Sequence, residues 1–211
     1  MKRVLITSMA ILGFIVTSSA QNKGKIEIGL NAGLNSSNAS TGYDSADPSI
    51  GFNFGASADY YFSNRWSLKA KLIYDRKGWD NDLVRVSDQF DPVVRYASTD
   101  INLDYLTVPL MASWHFGNRK NWYLNFGPYI GFLMNAKETR FDSDIKESFN
   151  KVDGGLAFGL GVKIPVSDKF KVFIEYEGQG GMAELFKYND YDDTIMNARS
   201  SLNVGINFLL Y

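Results

Sequence analysis

The chain has 211 residues, with 22 basic and 23 acidic side chains, one histidine and no cysteine. The lack of cysteine excludes a disulfide scaffold, a thiolate zinc site, an iron–sulfur centre, a lipoprotein anchor and a cysteine nucleophile, and the near balance of charge leaves no electrostatic footprint for nucleic acid. Aromatic residues at 15% together with 19 glycines point to one domain of β-structure that carries large exposed rings.

The N-terminal segment reads as an address. Lys2 and Arg3 precede an apolar stretch from Val4 to Val16, and Thr17-Ser18-Ser19-Ala20 supplies small residues before Gln21. This is the layout of a secretory signal peptide cleaved after Ala20. The apolar stretch spans about 20 Å as a helix, short of the ~30 Å hydrocarbon core that a membrane helix must cross. Residues 1–20 are therefore expected to be a signal peptide and residues 21–211 the exported domain.

From Ile26 onward the chain alternates with period two. Apolar residues fall on even numbers in eight segments, which begin near Ile26, Ile50, Trp66, Leu106, Trp122, Leu156, Phe170 and Leu202. The intervening odd positions are polar, charged or glycine. Eight half-buried strands follow. Ser63–Arg65, Gly117–Asn121 and Ser167–Lys169 are tight polar turns after the second, fourth and sixth strands. The connections after the odd-numbered strands run to fifteen or more residues, among them Asp80–Asp100 and Ala183–Arg199. Short turns alternating with long loops in an even-stranded chain predict an all-β fold, an eight-stranded antiparallel up-and-down transmembrane β-barrel of the outer membrane. Both chain ends fall on the short-turn side, which is periplasmic in such barrels.

Period two does not say which face is outside. A secreted lipocalin-like barrel that binds a small apolar ligand would bury the apolar face instead. Three features favour the membrane form. The glycine-rich phase suits the interior of a narrow barrel, where eight strands leave room only for side chains. Rings at Phe62, Trp66, Trp114, Phe116, Trp122, Phe170 and Phe208 cluster at the turn end and form an interfacial girdle, with Tyr74, Phe132 and Tyr176 toward the loop end. The chain also ends in its last strand, which leaves no sequence for the lipocalin helix.

The run Tyr105-Leu106-Thr107-Val108-Pro109-Leu110 resembles the Y-L-x-[I/V]-P-L signature of the PorT-like outer-membrane β-barrel domain of Bacteroidetes-type envelopes. Gly127-Pro128-Tyr129, Gly159-Leu160-Gly161 and the aromatic chain end are similar too. The resemblance covers roughly Lys25 to Tyr211. It implies an outer-membrane barrel and, for PorT itself, a part in type IX protein secretion. Pro109 removes a ladder donor within a strand, which predicts a bulge.

Few constellations could carry chemistry. His115 is the one histidine, so a barrel hydrolase or acyltransferase would have to use it. Parity points it into the lumen near a short turn, far from the loops where substrate arrives. Gly159-Leu160-Gly161 lacks the helix of a nucleotide loop. Tyr188 to Asp193 lacks the glycine and distal glutamate of an EF-hand, so a solvated acidic loop is the expectation there. Glu175 and Glu177 share the lumen face and should pair with lysines. The Ser63–Arg65 turn sets residues whose numbers sum to about 128 opposite one another. Asp59 and Lys69 should therefore face each other, with Lys71 one inward step higher. Lys163 should lie across from Phe173 and diagonal to Glu175.

The reading is a non-enzymatic barrel plugged by side chains, without cofactor or metal, in contact with outer-membrane lipid. Rings on the long loops, with Trp79, Phe186, Tyr188 and Tyr191 foremost, would contact an envelope or extracellular protein. An accessory role in secretion is the variant that the resemblance carries.

Overall fold

The computed structural model describes residues 23–40, 46–88, 91–189 and 193–210. The segment 1–20, Tyr191 and most of the acidic run at 190–193 lie outside the described residues. The strands are β1 (Ile26–Ser40), β2 (Asp47–Tyr61), β3 (Trp66–Asp88), β4 (Asp91–Phe116), β5 (Trp122–Glu138), β6 (Ser143–Asp144), β7 (Val152–Pro165), β8 (Phe170–Gly181) and β9 (Met196–Leu209).

Every pairing is antiparallel. Each main strand pairs with its sequence neighbours, and β5 pairs directly with β7. The ring closes where β1 meets β9, from Glu27↔Leu209 up to Ser40↔Met196. Eight strands therefore form a closed barrel. The two-residue β6 stands outside the ring, pairing with the top of β5 through Lys137↔Asp144 and Glu138↔Ser143. Closure leaves no open edge in the ring, which a sheet in hydrocarbon requires because lipid offers the backbone no partners.

The two faces divide by parity. Even-numbered Leu30, Leu34, Phe54, Leu72, Leu110, Phe126, Leu160, Ile174 and Val204 are exposed on the outside, and odd-numbered Asn31, Asn53, Asp59, Lys69, Lys71, Asn125, Glu175 and Asn203 are buried inside. A lipocalin-like barrel has the reverse arrangement, so the soluble alternative falls. A continuous apolar exterior on this scale is a surface made for lipid. Glycine makes room for rings inside: a Cβ on Gly161 would meet the Tyr123 ring at 2.3 Å, and one on Gly205 would meet Phe173 at 2.5 Å.

Three expectations need correction. The stretch Asp80–Asp100 is no loop, because β3 and β4 continue through it as a hairpin, from Trp79↔Ile101 to Asp88↔Asp91. Likewise β1 runs to Ser40 and β2 starts at Asp47. The alternation of apolar residues stops where the apolar surroundings stop, but strand pairing continues in water. Pro109 makes no bulge: Val108↔Ile130 and Pro109↔Tyr129 stay in step with Ala112↔Phe126. On the β3 side the ladder lapses between Ala70↔Leu110 and Ile73↔Thr107 without a change of register. The missing N–H costs a bond but does not insert a residue.

A bulge of this strand pair lies higher. The pairing passes from Tyr105↔Leu133 to Asp104↔Asn135, leaving Met134 extra. Beyond it the parity of β5 inverts, with Ala136 and Glu138 buried and Lys137 exposed. The period-two phase thus slips on β5, and the β2–β3 and β3–β4 ladders also shift register, between Pro48 and Asn53 and between Trp79 and Asp82, after which odd-numbered Leu83 faces out.

Candidate functional site

The lumen is filled by a lattice of ion pairs. At its base Glu27 accepts from Lys163, Lys171 and Asn207, the last at 2.6 Å. Lys163 also reaches Asp59 Oδ2 and Tyr61 OH, both at 2.9 Å. Asp59 and Lys69 are directly cross-strand and 3.6 Å apart. The nearer cation to Asp59 is nevertheless Lys163, from across the barrel. Lys69 lies 4.5 Å from the centroid of the Tyr123 ring and 3.7 Å from Glu175 Oε2.

One layer up, Lys71 joins Glu175 and Glu177, the latter at 2.5 Å. Asn125 donates to Glu175 at 2.8 Å and accepts from Ser113 at 2.5 Å. Arg199 bridges Glu177 at 2.8 Å and Asp75 at 3.0 Å. Asn35 donates to the same Asp75 carboxylate at 2.6 Å. Above that, Lys77 meets Asp153 at 3.1 Å between the rings of Tyr105 and Tyr129, while Tyr129 OH donates to Asp153 at 3.2 Å. Among the described residues this column holds six cations (Lys69, Lys71, Lys77, Lys163, Lys171, Arg199) and six carboxylates (Glu27, Asp59, Asp75, Asp153, Glu175, Glu177). Buried charges persist only when paired and hydrogen-bonded.

Lys163 lies opposite Phe173, as hairpin geometry requires. Its ion partners are Glu27 and Asp59, not the diagonal Glu175, which goes to Lys71 and Lys69. Glu27, Asp75, Lys77, Asp153, Lys171 and Arg199 complete the lattice although the pairing arithmetic did not reach them. All six carry odd numbers, so the inward phase alone was the signal that could have found them.

His115 sits at the base of the lumen, 2% exposed, with Nε2 3.0 Å from Ser67 Oγ. The rings of Tyr61 and Tyr123 lie 5.0 and 6.0 Å away. Among the described residues no carboxylate hydrogen-bonds the ring to orient it. A histidine base needs substrate within hydrogen-bond reach, and this one lies at the short-turn end of the barrel, next to the last residue of β4 and level with the base of the charged column.

Above the column the packing changes character. Trp79, Ile101, Leu103, Tyr105, Leu133, Ala136, Phe149 and Leu185 form an apolar cluster that closes the loop end. Trp79 is 4% exposed, and its ring lies 6.1 Å from both Phe149 and Phe186. The expectation that Trp79 and Phe186 offer rings to a partner is corrected: Trp79 is core, and Phe186 packs against it half-buried. Sequence hid this because a loop tryptophan and a capping tryptophan look alike until the two loops around Phe149 and Phe186 fold inward. Tyr188 stays 80% exposed, and Tyr96, Leu83 and Phe141 are exposed with it.

At the opposite end, Phe62, Trp66, Trp114, Trp122 and Phe208 are exposed, and Phe116 and Phe170 are half-buried. Trp66, Trp114, Phe116 and Trp122 run as a chain of ring contacts with centroids 5.1–6.4 Å apart. Interfacial aromatic belts have this arrangement.

Comparison with known proteins agrees with the geometry. Residues 19–179 match the family model described as an outer membrane protein beta-barrel domain. No curated protein matches the chain. Among solved structures it is similar to OprG of Pseudomonas aeruginosa, with 12% identity, TM-score 0.56, and 92% of this chain and 100% of that one covered. Neisserial surface protein A gives 19% identity and TM-score 0.50, over 86% of this chain and 96% of that one. The attachment invasion locus protein Ail of Yersinia pestis gives 19% and 0.45, over 88% and 99%. At these identities the likeness is one of fold.

Proposed function

The chain belongs to the outer membrane protein beta-barrel domain family and resides in the outer membrane, and from that premise we propose that it is a non-catalytic, closed barrel whose loop end binds a partner protein. The observation that carries this reading is the division of the molecule into a sealed lumen and a built crown. Ion pairs fill the passage, and the Trp79 cluster stiffens the loops above it. Tyr96, Phe141 and Tyr188 are held outward on that platform, and aromatic side chains of this kind anchor interfaces. The placement of His115 supports a role without catalysis.

In the proposed orientation both chain ends and the short turns face the periplasm, the crown faces outside, and residues 1–20 are removed on export. Cysteines placed singly at Asn64 and Tyr188 test the orientation on intact cells: labelling at Tyr188 alone supports it, and labelling at Asn64 alone reverses it.

Photo-crosslinking residues placed at Tyr96, Phe141 and Tyr188 test the binding role. Capture of one and the same extracellular or envelope protein from all three sites, and not from Phe158 on the lipid face, supports the reading. Silence at the crown with capture of export machinery from Asn64 would replace it with the secretion-accessory role implied by the PorT-like resemblance.

A further inference from the structure

The two ends of the barrel treat their charges differently. Outside the lumen, the short-turn end carries six cations among the described residues (Lys23, Lys25, Arg65, Arg119, Lys120 and Lys169) and one carboxylate, the exposed Asp168. The turns at 62–65, 117–121 and 166–169 and the entry to β1 hold them, so each of the four bases of the ring has at least one. Their backbone is fixed. The carbonyls of Lys25, Arg65 and Lys169 accept from the N–H groups of Tyr61, His115 and Leu209 at 3.0, 2.7 and 2.8 Å, which carries the ladders of the barrel down to them. Lys120 has a φ of 54°, in the left-handed region where glycine or asparagine costs less, so this turn keeps a cation against its backbone preference.

Pairing sets this end apart. In the crown Lys137 pairs with Asp142, and Lys151 and Lys187 share Glu147. At the upper membrane boundary Arg76 pairs with Asp104, and in the lumen every cation of the column has a carboxylate. At the short-turn end none of Lys23, Lys25, Arg65, Lys120 and Lys169 pairs with a carboxylate among the described residues. Six like charges gathered on one ring, with a single acid among them, call for an anion from outside the chain.

The aromatic belt says where that anion lies. Arg65 stands between Phe62 and Trp66 in the sequence, Arg119 and Lys120 between Phe116 and Trp122, and Lys169 precedes Phe170. Interfacial rings mark the headgroup level of a leaflet. Residues one to three steps beyond them, at about 3.3 Å each, reach the lipid phosphates. A protein docked against the barrel would meet one side of it, whereas these cations surround it as a leaflet does.

We propose that the short-turn end is a cationic collar that gathers phospholipids of net negative headgroup from the leaflet around it. Lysine and arginine donate charge-assisted hydrogen bonds to the phosphate oxygens, and the summed field of the ring holds the anionic lipids near it. The proposal rests on the outer-membrane reading and is independent of the crown's partner.

The test folds the full barrel into vesicles of equal parts phosphatidylglycerol and phosphatidylcholine with the same acyl chains. The barrel is then extracted in mild detergent, and the lipids that stay bound are counted by native mass spectrometry. Wild type should retain phosphatidylglycerol over phosphatidylcholine by at least about fivefold at low salt and approach parity at ~1 M salt, where screening shortens to ~3 Å. Arg65→Gln with Lys120→Asn and Lys169→Gln should abolish the preference while the barrel keeps its heat-modifiable folded mobility. Lys137→Gln with Lys151→Gln and Lys187→Gln removes as much charge from the crown and should leave the preference unchanged. Equal retention of the two lipids by wild type would overturn the proposal and point to an acidic protein surface as the collar's partner. Undiminished preference in the collar variant would overturn it as well, and so would an equal loss in both variants, by showing that net charge alone selects the lipid.

Discussion

Strand β3 passes through two environments that invert each other. At Lys69 and Lys71 its inward side chains are charges and its outward neighbours Leu68 and Leu72 face lipid, whereas at Trp79 the inward side chain is an apolar ring and the next residue outward is Asp80. The same hydrophobic effect governs both stretches, because apolar area is removed from water in each. Only the place of the water differs. Within the membrane height the exterior is hydrocarbon, so polar groups gather inside and must pair among themselves. In the crown the exterior is water, and the ordinary soluble arrangement returns. The changeover lies near the upper aromatic residues, where Arg76 pairs with Asp104 at 2.8 Å on the outer face and where β5 inverts its parity around Met134.

If the lumen is dry and coupled, removing one charge should be the most damaging single change. Glu27→Ala leaves Lys163 and Lys171 without their shared carboxylate and should cost about 3–5 kcal/mol in urea unfolding from lipid. Joint replacement by Glu27→Leu, Lys163→Met and Lys171→Met should come close to neutral. A loss below ~1 kcal/mol for Glu27→Ala would mean a hydrated lumen, and the contrast with the crown would dissolve.

Trp79→Ala should be comparable in size, about 3–5 kcal/mol for a buried ring, but local in effect. The loops that carry Phe149 and Phe186 should become protease-sensitive while the unfolding midpoint of the barrel barely moves. A matching fall in barrel stability would show that the two regions form one cooperative unit.

Two exposed leucines sharpen the boundary. Leu160 and Leu83 are 45% and 66% exposed, so exposure alone would rank Leu83 as the more apolar surface defect. Leu160→Arg should cost about 2–4 kcal/mol because it faces hydrocarbon, and Leu83→Arg less than ~0.5 kcal/mol because it faces water. Equal costs would misplace the membrane.

The smallest effect concerns the crown's acid sensitivity. Lost hydration tends to raise the Glu138 carboxyl, but hydrogen bonds from Thr99 and from the N–H groups of Phe141 and Arg140, the last two at 2.9 and 2.7 Å, hold it below its ordinary value. A lowered carboxyl stabilises the folded form above its unfolded value near 4.5 and loses that contribution as pH falls through the lowered one. Hydrogen exchange at Arg140 and Phe141 should therefore quicken only below about pH 4.5, and Glu138→Gln should remove that pH dependence.

The barrel was legible because lipid on one side and side chains on the other impose strict alternation, and because Ser63–Arg65 and its counterparts are too short for anything but hairpin turns. The hairpin arithmetic placed Asp59 opposite Lys69 and Lys163 opposite Phe173. It could not place Lys163 against Glu27, since they belong to strands that are not neighbours and meet only through the curvature of a closed ring. The crown was misread for a different reason. Alternation weakens once hydrocarbon no longer selects the outward residues, so the extension of β3 and β4 past Asp80 looked like loop although its backbone still pairs. The displaced bulge follows suit, because nothing local at Met134 announces an extra residue.

The matched cations and carboxylates of the lumen have a consequence for transport. A membrane potential does about 2.3 kcal/mol of work per unit charge per 100 mV, and a column whose charges cancel offers it no net handle, so voltage should neither open nor strain this barrel. Any leak through the intact column should favour neither anions nor cations. Replacing Lys71 with methionine would leave the column one negative charge in excess, and whatever ion current it passed should become cation-selective.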